Sequence, residues 1–118
     1  MTGVDVADAA ERVVTNLVEL SAGLRGCALV AADGAVLASS DQAPWGERTV
    51  ELWKAADATR EDAGPVTQVQ IGGEGGELFA ARSDGITAIA VTDRFALASL
   101  LFCDLRAALR EFAATGEG

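Results

Sequence analysis

The residues best suited to cradling a phosphate stand together at Gly72-Gly73-Glu74-Gly75-Gly76. A phosphate-binding loop needs a lysine and a hydroxyl residue opening a helix after its glycines. Here Glu77 and a strand-like run follow, so the segment would repel phosphate. The dinucleotide fingerprint fails too, because Leu78 holds the place of its third glycine. Carboxylate pairs such as Glu61-Asp62, and Asp5 with Asp8, could run acid–base chemistry or hold magnesium. With 18 acidic residues among 118, such neighbours are expected on a solvated surface. The chain has no histidine and no tyrosine. Ser-His-Asp and Cys-His nucleophilic systems, histidine-ligated zinc and a histidine pH switch are thereby excluded. Ser39 and Ser40 have no histidine base, and Arg82 and Arg94 are single arginines without a pattern. No catalytic, cofactor-binding or metal-ligating residue is assigned, and no enzyme activity is expected.

The two cysteines, Cys27 and Cys103, each sit in an apolar run. They read as two buried small hydrophobes in a reducing compartment, and nothing in their spacing asks for a disulfide. Hydrophobic residues make up 50% of the chain and aromatics 5%, which is too apolar for disorder. The formal net charge of -9 argues against nucleic acid as a partner. Lys54 is the one lysine beside eight arginines, a bias we read as codon usage. Met1-Thr2-Gly3-Val4-Asp5 shows neither a basic region nor a long apolar run, so no signal peptide, membrane span or membrane partner is expected. The expected setting is cytoplasmic.

One domain is expected over 1–118, with a frayed tail at 114–118. A first helix is predicted from Val4 to about Leu24, on a stripe of Val6, Ala10, Val13, Leu17, Leu20 and Leu24, with Gly23 and Gly26 at its end. Cys27–Ala32 is apolar on both alternations and predicts a strand covered on both faces. Asp33-Gly34 then signals a hairpin to a second strand, 35–39. After Pro44 a second helix is predicted from Trp45 to Asp62, with Trp45, Leu52, Ala55, Ala56 and Thr59 as its stripe and Val50 and Trp53 beside it. The run 65–71 alternates, with Thr67, Val69 and Ile71 on one face and Gln68 and Gln70 on the other, as a half-buried edge strand does. Residues 72–76 read as a loose hairpin loop. A fourth strand, 77–82, an Asp84-Gly85 turn and a central fifth strand, 86–91, follow. Thr92-Asp93 is expected to cap a last helix, Arg94 to Ala113, that buries Ala98, Leu101, Leu105, Ala108 and Phe112. Two strands buried on both faces require helices on both sides, hence a three-layer α/β/α domain.

Two features point to association. Both tryptophans, Trp45 and Trp53, fall in the second helix, about 80° apart around its axis, and fit either core packing or a partner surface. The edge run Val66 to Ile71 carries no charge, and Pro65 alone guards its start. An edge left unguarded in this way suits pairing with a second copy of the chain.

The stretch Gly26–Ser40, Gly76–Arg82 and Ala88–Thr92 leading into Leu100-Leu101 and Leu105-Arg106 resemble the roadblock / dynein light chain family, including its MglB-like members. The resemblance covers roughly residues 5 to 112. It implies a five-stranded antiparallel sheet of order 2-1-5-4-3, the second helix on one face and the first and third on the other. It implies a prokaryotic, homodimeric, non-catalytic regulator or scaffold that binds a Ras-like small GTPase. Dimerisation would fall on Val66, Thr67, Gln68, Val69, Gln70 and Ile71, and on Val50, Trp53, Lys54 and Asp57. The alternatives are a profilin-like sensor that binds a small molecule between sheet and helix, and a pure dimeric scaffold without effect on GTP turnover. A pocket of ligand size would favour the sensor.

Overall fold

A computed structural model describes residues 6–21, 23–59, 67–93 and 97–116. In chain order the elements are α1 (Val6–Leu20), β1 (Leu24–Ala31), β2 (Val36–Ser39), α2 (Trp45–Thr59), β3 (Gln68–Gly73), β4 (Gly76–Ser83), β5 (Ile86–Thr92) and α3 (Ala98–Gly116). The five strands form one antiparallel sheet in the order β2-β1-β5-β4-β3, as the family resemblance implies.

Period-two alternation in the central strands divides the core in two. Cys27 and Leu29 of β1, Ala88 and Ala90 of β5, and Phe79 and Ala81 of β4 face α1 and α3. Ala28, Val30, Ile89 and Ala80 face α2 with Trp45, Leu52 and Trp53. The alanines let α1 and α3 settle close to the sheet, and Phe79 fills the gap edge-to-face against Phe102 at 5.3 Å between centroids. The layered architecture is the expected one.

Several boundaries differ from the sequence expectation. α1 stops at Leu20, and Leu24 opens β1. Its buried positions are Ala9, Ala10, Val13, Val14 and Leu17, while Val6 and Leu20 of the expected stripe are exposed. In α2 the inward positions are Trp45, Thr49, Leu52 and Trp53, with Ala56 half-buried and Ala55 exposed. The glycine segment is not loose. β3 continues to Gly73, β4 begins at Gly76, and these two residues pair across a two-residue turn. A Cβ on Gly76 would collide with the Thr92 carbonyl oxygen, so the glycine serves a close approach of β4 to β5. Asp84 and Gly85 both take positive φ, the mirror-image turn that the Asp-Gly pair signalled. Thr92 ends β5 rather than capping α3, which starts at Ala98 and runs through Gly116, beyond the expected fraying point. Cys27 is buried but Cys103 is exposed, and both are free thiols. The expected features at Met1–Asp5, Glu61-Asp62, Pro65, Val66 and Arg94 lie outside the described residues.

Candidate interaction surface

The first turn of α2 is pinned at the β1–β2 end of the sheet. Trp45 lies buried with its Nε1–H donated to Asp41 Oδ1 at 2.8 Å, and the Arg48 guanidinium sits over the indole at 5.6 Å. A Cβ on Gly46 would strike the Gly34 carbonyl oxygen, which shows how closely helix and turn approach. From there α2 packs over β2, β1 and β5. It reaches β4 at its C-terminal end, where Asp57 Oδ1 accepts from the Arg82 guanidinium at 2.7 Å. Trp53 lies beneath that ion pair. Its ring is 4.0 Å from the Arg82 guanidinium carbon, and its Nε1–H donates to the Thr87 hydroxyl at 2.8 Å.

Past the cover of α2, the same face of the sheet is open toward β3. Cross-strand register arranges it in rows. Val69, Ala80 and Ile89 form one row, and Ile71, Leu78 and Val91 form the next. Ala80 and Ile89 of the first row are buried, but Leu78 and Val91 of the second are only half-buried and Ile71 is 50% exposed. A third row, Arg82 and Thr87 continued by Thr67, is polar. Among the described residues, no strand lies beside the outer edge of β3. The result is an apolar shelf that ends in a line of free backbone donors and acceptors, a surface suited to strand addition.

On the opposite face a cavity of about 440 Å³ lies between α3 and the β3–β4 edge. Ala81, Ile86, Leu109 and Phe112 give it an apolar lining, and Arg106, Arg110 and Asp84 supply charge. Arg106 donates to the Gln68 side-chain oxygen from above β3. Further along the same face Gln70 Nε2 donates to Glu77 Oε1 at 3.4 Å.

The residues expected at a dimer interface therefore separate into groups. Thr67, Gln68, Val69, Gln70 and Ile71 line the open edge, with Thr67, Gln68, Gln70 and Ile71 exposed and Val69 half-buried. Val50, Lys54 and Asp57 lie exposed on α2, with Asp57 already paired to Arg82. Trp53 belongs to the core of its own chain, 7% exposed, because its ring turns inward to Thr87. Sequence reasoning missed Leu78 and Val91 as shelf residues. The signal was present, since Leu78 alternates with the inward-facing Phe79. It also expected Thr67 and Ile71 to be half-buried, whereas α2 stops short of them.

Among the described residues no cluster of metal-ligating side chains occurs and no helix is long and apolar enough to cross a membrane. The Cys27 thiol is pushed up to about 11, chiefly by burial, so it is no nucleophile.

No protein-family model and no curated protein matches the chain. Solved structures do. MglB of Myxococcus xanthus superposes with a TM-score of 0.80 at 14% identity, covering 99% of this chain and 94% of that one. The gliding protein MglB of Thermus thermophilus gives 0.78 at 18% identity, covering 99% and 95%. A roadblock/LC7 domain of Streptomyces avermitilis gives 0.75 at 18% identity, covering 92% and 98%. A Loki profilin in complex with rabbit actin superposes less well, at 0.64 and 12% identity over 91% of this chain and 96% of that one. The chain has the roadblock/LC7 fold.

Proposed function

We propose that the chain is a homodimeric, non-catalytic regulator or scaffold that binds a Ras-like small GTPase. One observation carries the dimer: an uncharged, unpaired β3 edge bordered by the open shelf of Val69, Ile71, Leu78 and Val91. Association of two such edges extends the sheet to ten strands, satisfies the free backbone groups and covers the apolar rows. The GTPase reading rests on the sequence resemblance and on the roadblock/LC7 fold shared with the MglB structures. In this reading the partner keeps its own catalytic groups and this chain supplies a rigid surface against them.

Light scattering across a dilution series tests the dimer. The expected mass is about 24 kDa, twice the chain's 12.1 kDa, and a constant 12.1 kDa refutes it. Ras-like GTPases from the same genome, loaded with GTP or GDP, are then captured on the immobilised dimer and their GTP turnover is followed. Nucleotide-dependent capture supports the reading, and a changed turnover rate separates a regulator from a scaffold. Absence of capture across the set refutes the GTPase part alone.

The cavity favours a second reading, the small-molecule sensor, because its volume falls within the range of ligand sites. Its apolar lining with Arg106 and Arg110, one turn apart on α3, suits an amphipathic anion. A rise in melting temperature with octanoate that Arg110→Ala abolishes would support this reading. No shift at millimolar octanoate would reject it for that class of ligand.

A further inference from the structure

The open edge also contains enough information to set how two copies meet, given the dimer reading above. In an antiparallel pair, residues directly opposite point to the same face of the sheet. A two-fold axis that keeps both α2 helices on one face must therefore set odd-numbered β3 residues opposite odd ones. Pairing centred on residue 69, 70 or 71 meets that condition and keeps at least five residues of the run 67–73 paired.

The rows choose among the three. Centred on Val69, the apolar row Val91-Leu78-Ile71 would run into the polar row that starts at Thr67 of the partner subunit. Centred on Ile71, Val69 would lie opposite Gly73 of the partner subunit, and its row would end at a glycine. Centred on Gln70, Ile71 lies opposite Val69 of the partner subunit, and the row Val91-Leu78-Ile71 continues into the partner's row of Val69, Ala80 and Ile89. Symmetry makes this happen twice, and no apolar row then meets a polar one.

On the other face the same register places Gln68 opposite Gly72 of the partner subunit. Arg106 rests on Gln68. Glu77 reaches over Gly72 of its own chain, where its Oε2 lies 3.9 Å from the position a Cβ would take. Gly72 leaves that space empty, so the carboxylate faces the seam. Opposed positions on paired strands are about 5 Å apart. Within one chain, by contrast, Gln68 and Gly72 are four residues apart on β3, about 13 Å, and Arg106 does not reach its own Glu77. Among the described residues neither group forms an ion pair. Each is held by a neutral amide, Arg106 by Gln68 and Glu77 by Gln70.

We propose that the two chains pair through β3 about Gln70, and that Arg106 of each forms an ion pair with Glu77 of the partner subunit across the seam. The two symmetric pairs fix the register and select a second copy of this chain, against the mutual repulsion of two protomers that each carry a net charge of -9.

Charge reversal tests this. Arg106→Glu and Glu77→Arg are each expected to raise the dimer dissociation constant about tenfold, since each homodimer then holds two like-charged contacts. An equimolar mixture of the two variants is expected to form a heterodimer close to wild-type strength. That heterodimer holds one native pair and one swapped pair, both attractive. Native mass spectrometry reads the species directly. A dimeric wild type whose two variants fail to rescue each other overturns the ion pairs and leaves the dimer standing. A monomeric wild type overturns the dimer reading and the ion pairs with it. If either reversal unfolds the chain, Arg106→Gln and Glu77→Gln replace them. A weakening of about threefold in both supports the pair, and an unchanged dissociation constant overturns it.

Discussion

Replacing Trp53 with alanine decides whether the second tryptophan serves the chain or the interface. The indole is 7% exposed, so truncation removes nearly a whole buried ring. Large-to-small changes of this kind cost about 3–5 kcal/mol when the site cannot collapse. Collapse is resisted here, because the ring sits between α2 and the sheet and under the Asp57–Arg82 ion pair. The Thr87 hydroxyl, in a residue 4% exposed, also loses the indole donor, which adds about 1 kcal/mol. A 118-residue domain has an unfolding entropy near 0.25 kcal/mol/K, so the combined loss should lower the melting temperature by about 16–24 °C. Calorimetry measures that fall, and Trp53→Phe, which keeps most of the ring and loses the N–H, should recover more than half of it. Dimer dissociation is followed in parallel below the new melting temperature. A fall under about 5 °C, together with a dissociation constant raised tenfold, would refute core placement and return Trp53 to the interface.

Val69→Lys puts an ammonium in the middle of the open edge; the variant should remain folded by circular dichroism and elute as a monomer at micromolar concentration. Gly46→Ala gains about 1 kcal/mol of helix propensity but drives its methyl into the Gly34 carbonyl, so a net loss of about 1–3 kcal/mol is expected in urea unfolding. One thiol per chain, Cys103, should react with a disulfide reagent at neutral pH in native buffer, and two should react in denaturant. Stability should be insensitive to the Cys27 thiol below pH 9.0. It should then fall by up to about 3 kcal/mol as pH rises toward 11, because the unfolded thiol ionises first while the buried one stays protonated. Cys27→Ala should flatten that part of the pH profile.

The element order and the layering could be read from the residues, because Cys27–Ala32 and Ile86–Val91 are apolar on both alternations and the two Asp-Gly pairs mark turns. The strand order came from the resemblance, since alternation alone does not say which strands are neighbours. What stayed hidden depended on where layers end. The period of α1 runs on past Leu20, yet the sheet beneath it does not, so Leu20 is exposed and Leu24 turns into β1. Four glycines in five residues read as slack, whereas Gly73 and Gly76 extend two strands and Gly76 lets β4 press against Thr92. At the candidate site, the edge strand was legible from its missing charges. The direction of Trp53 was not, because 80° on a helix wheel separates core from surface only once the sheet beneath is placed. Arg106 and Glu77 lie on other elements, and only the register of β3 with β4 and the seat of Arg106 on Gln68 bring them to the same open edge.

The pairing of β1 with β5 also has a kinetic side. The central strand β5 and its neighbour β1 are the last and the first strands of the sheet to be synthesised, with Ala28 meeting Ile89 61 residues further along the chain. Closing a loop of that length costs about 3.6 kcal/mol beyond a constant before any contact is gained. On a ribosome, the β1–β2 hairpin waits for β5 with its inner edge unpaired, and the β3–β4 hairpin waits for the same strand. Closure of the sheet is thus a late step that waits for the segment around Thr92. The edge that would meet a second copy becomes rigid only when β5 joins the two hairpins, so assembly follows closure of the sheet rather than preceding it.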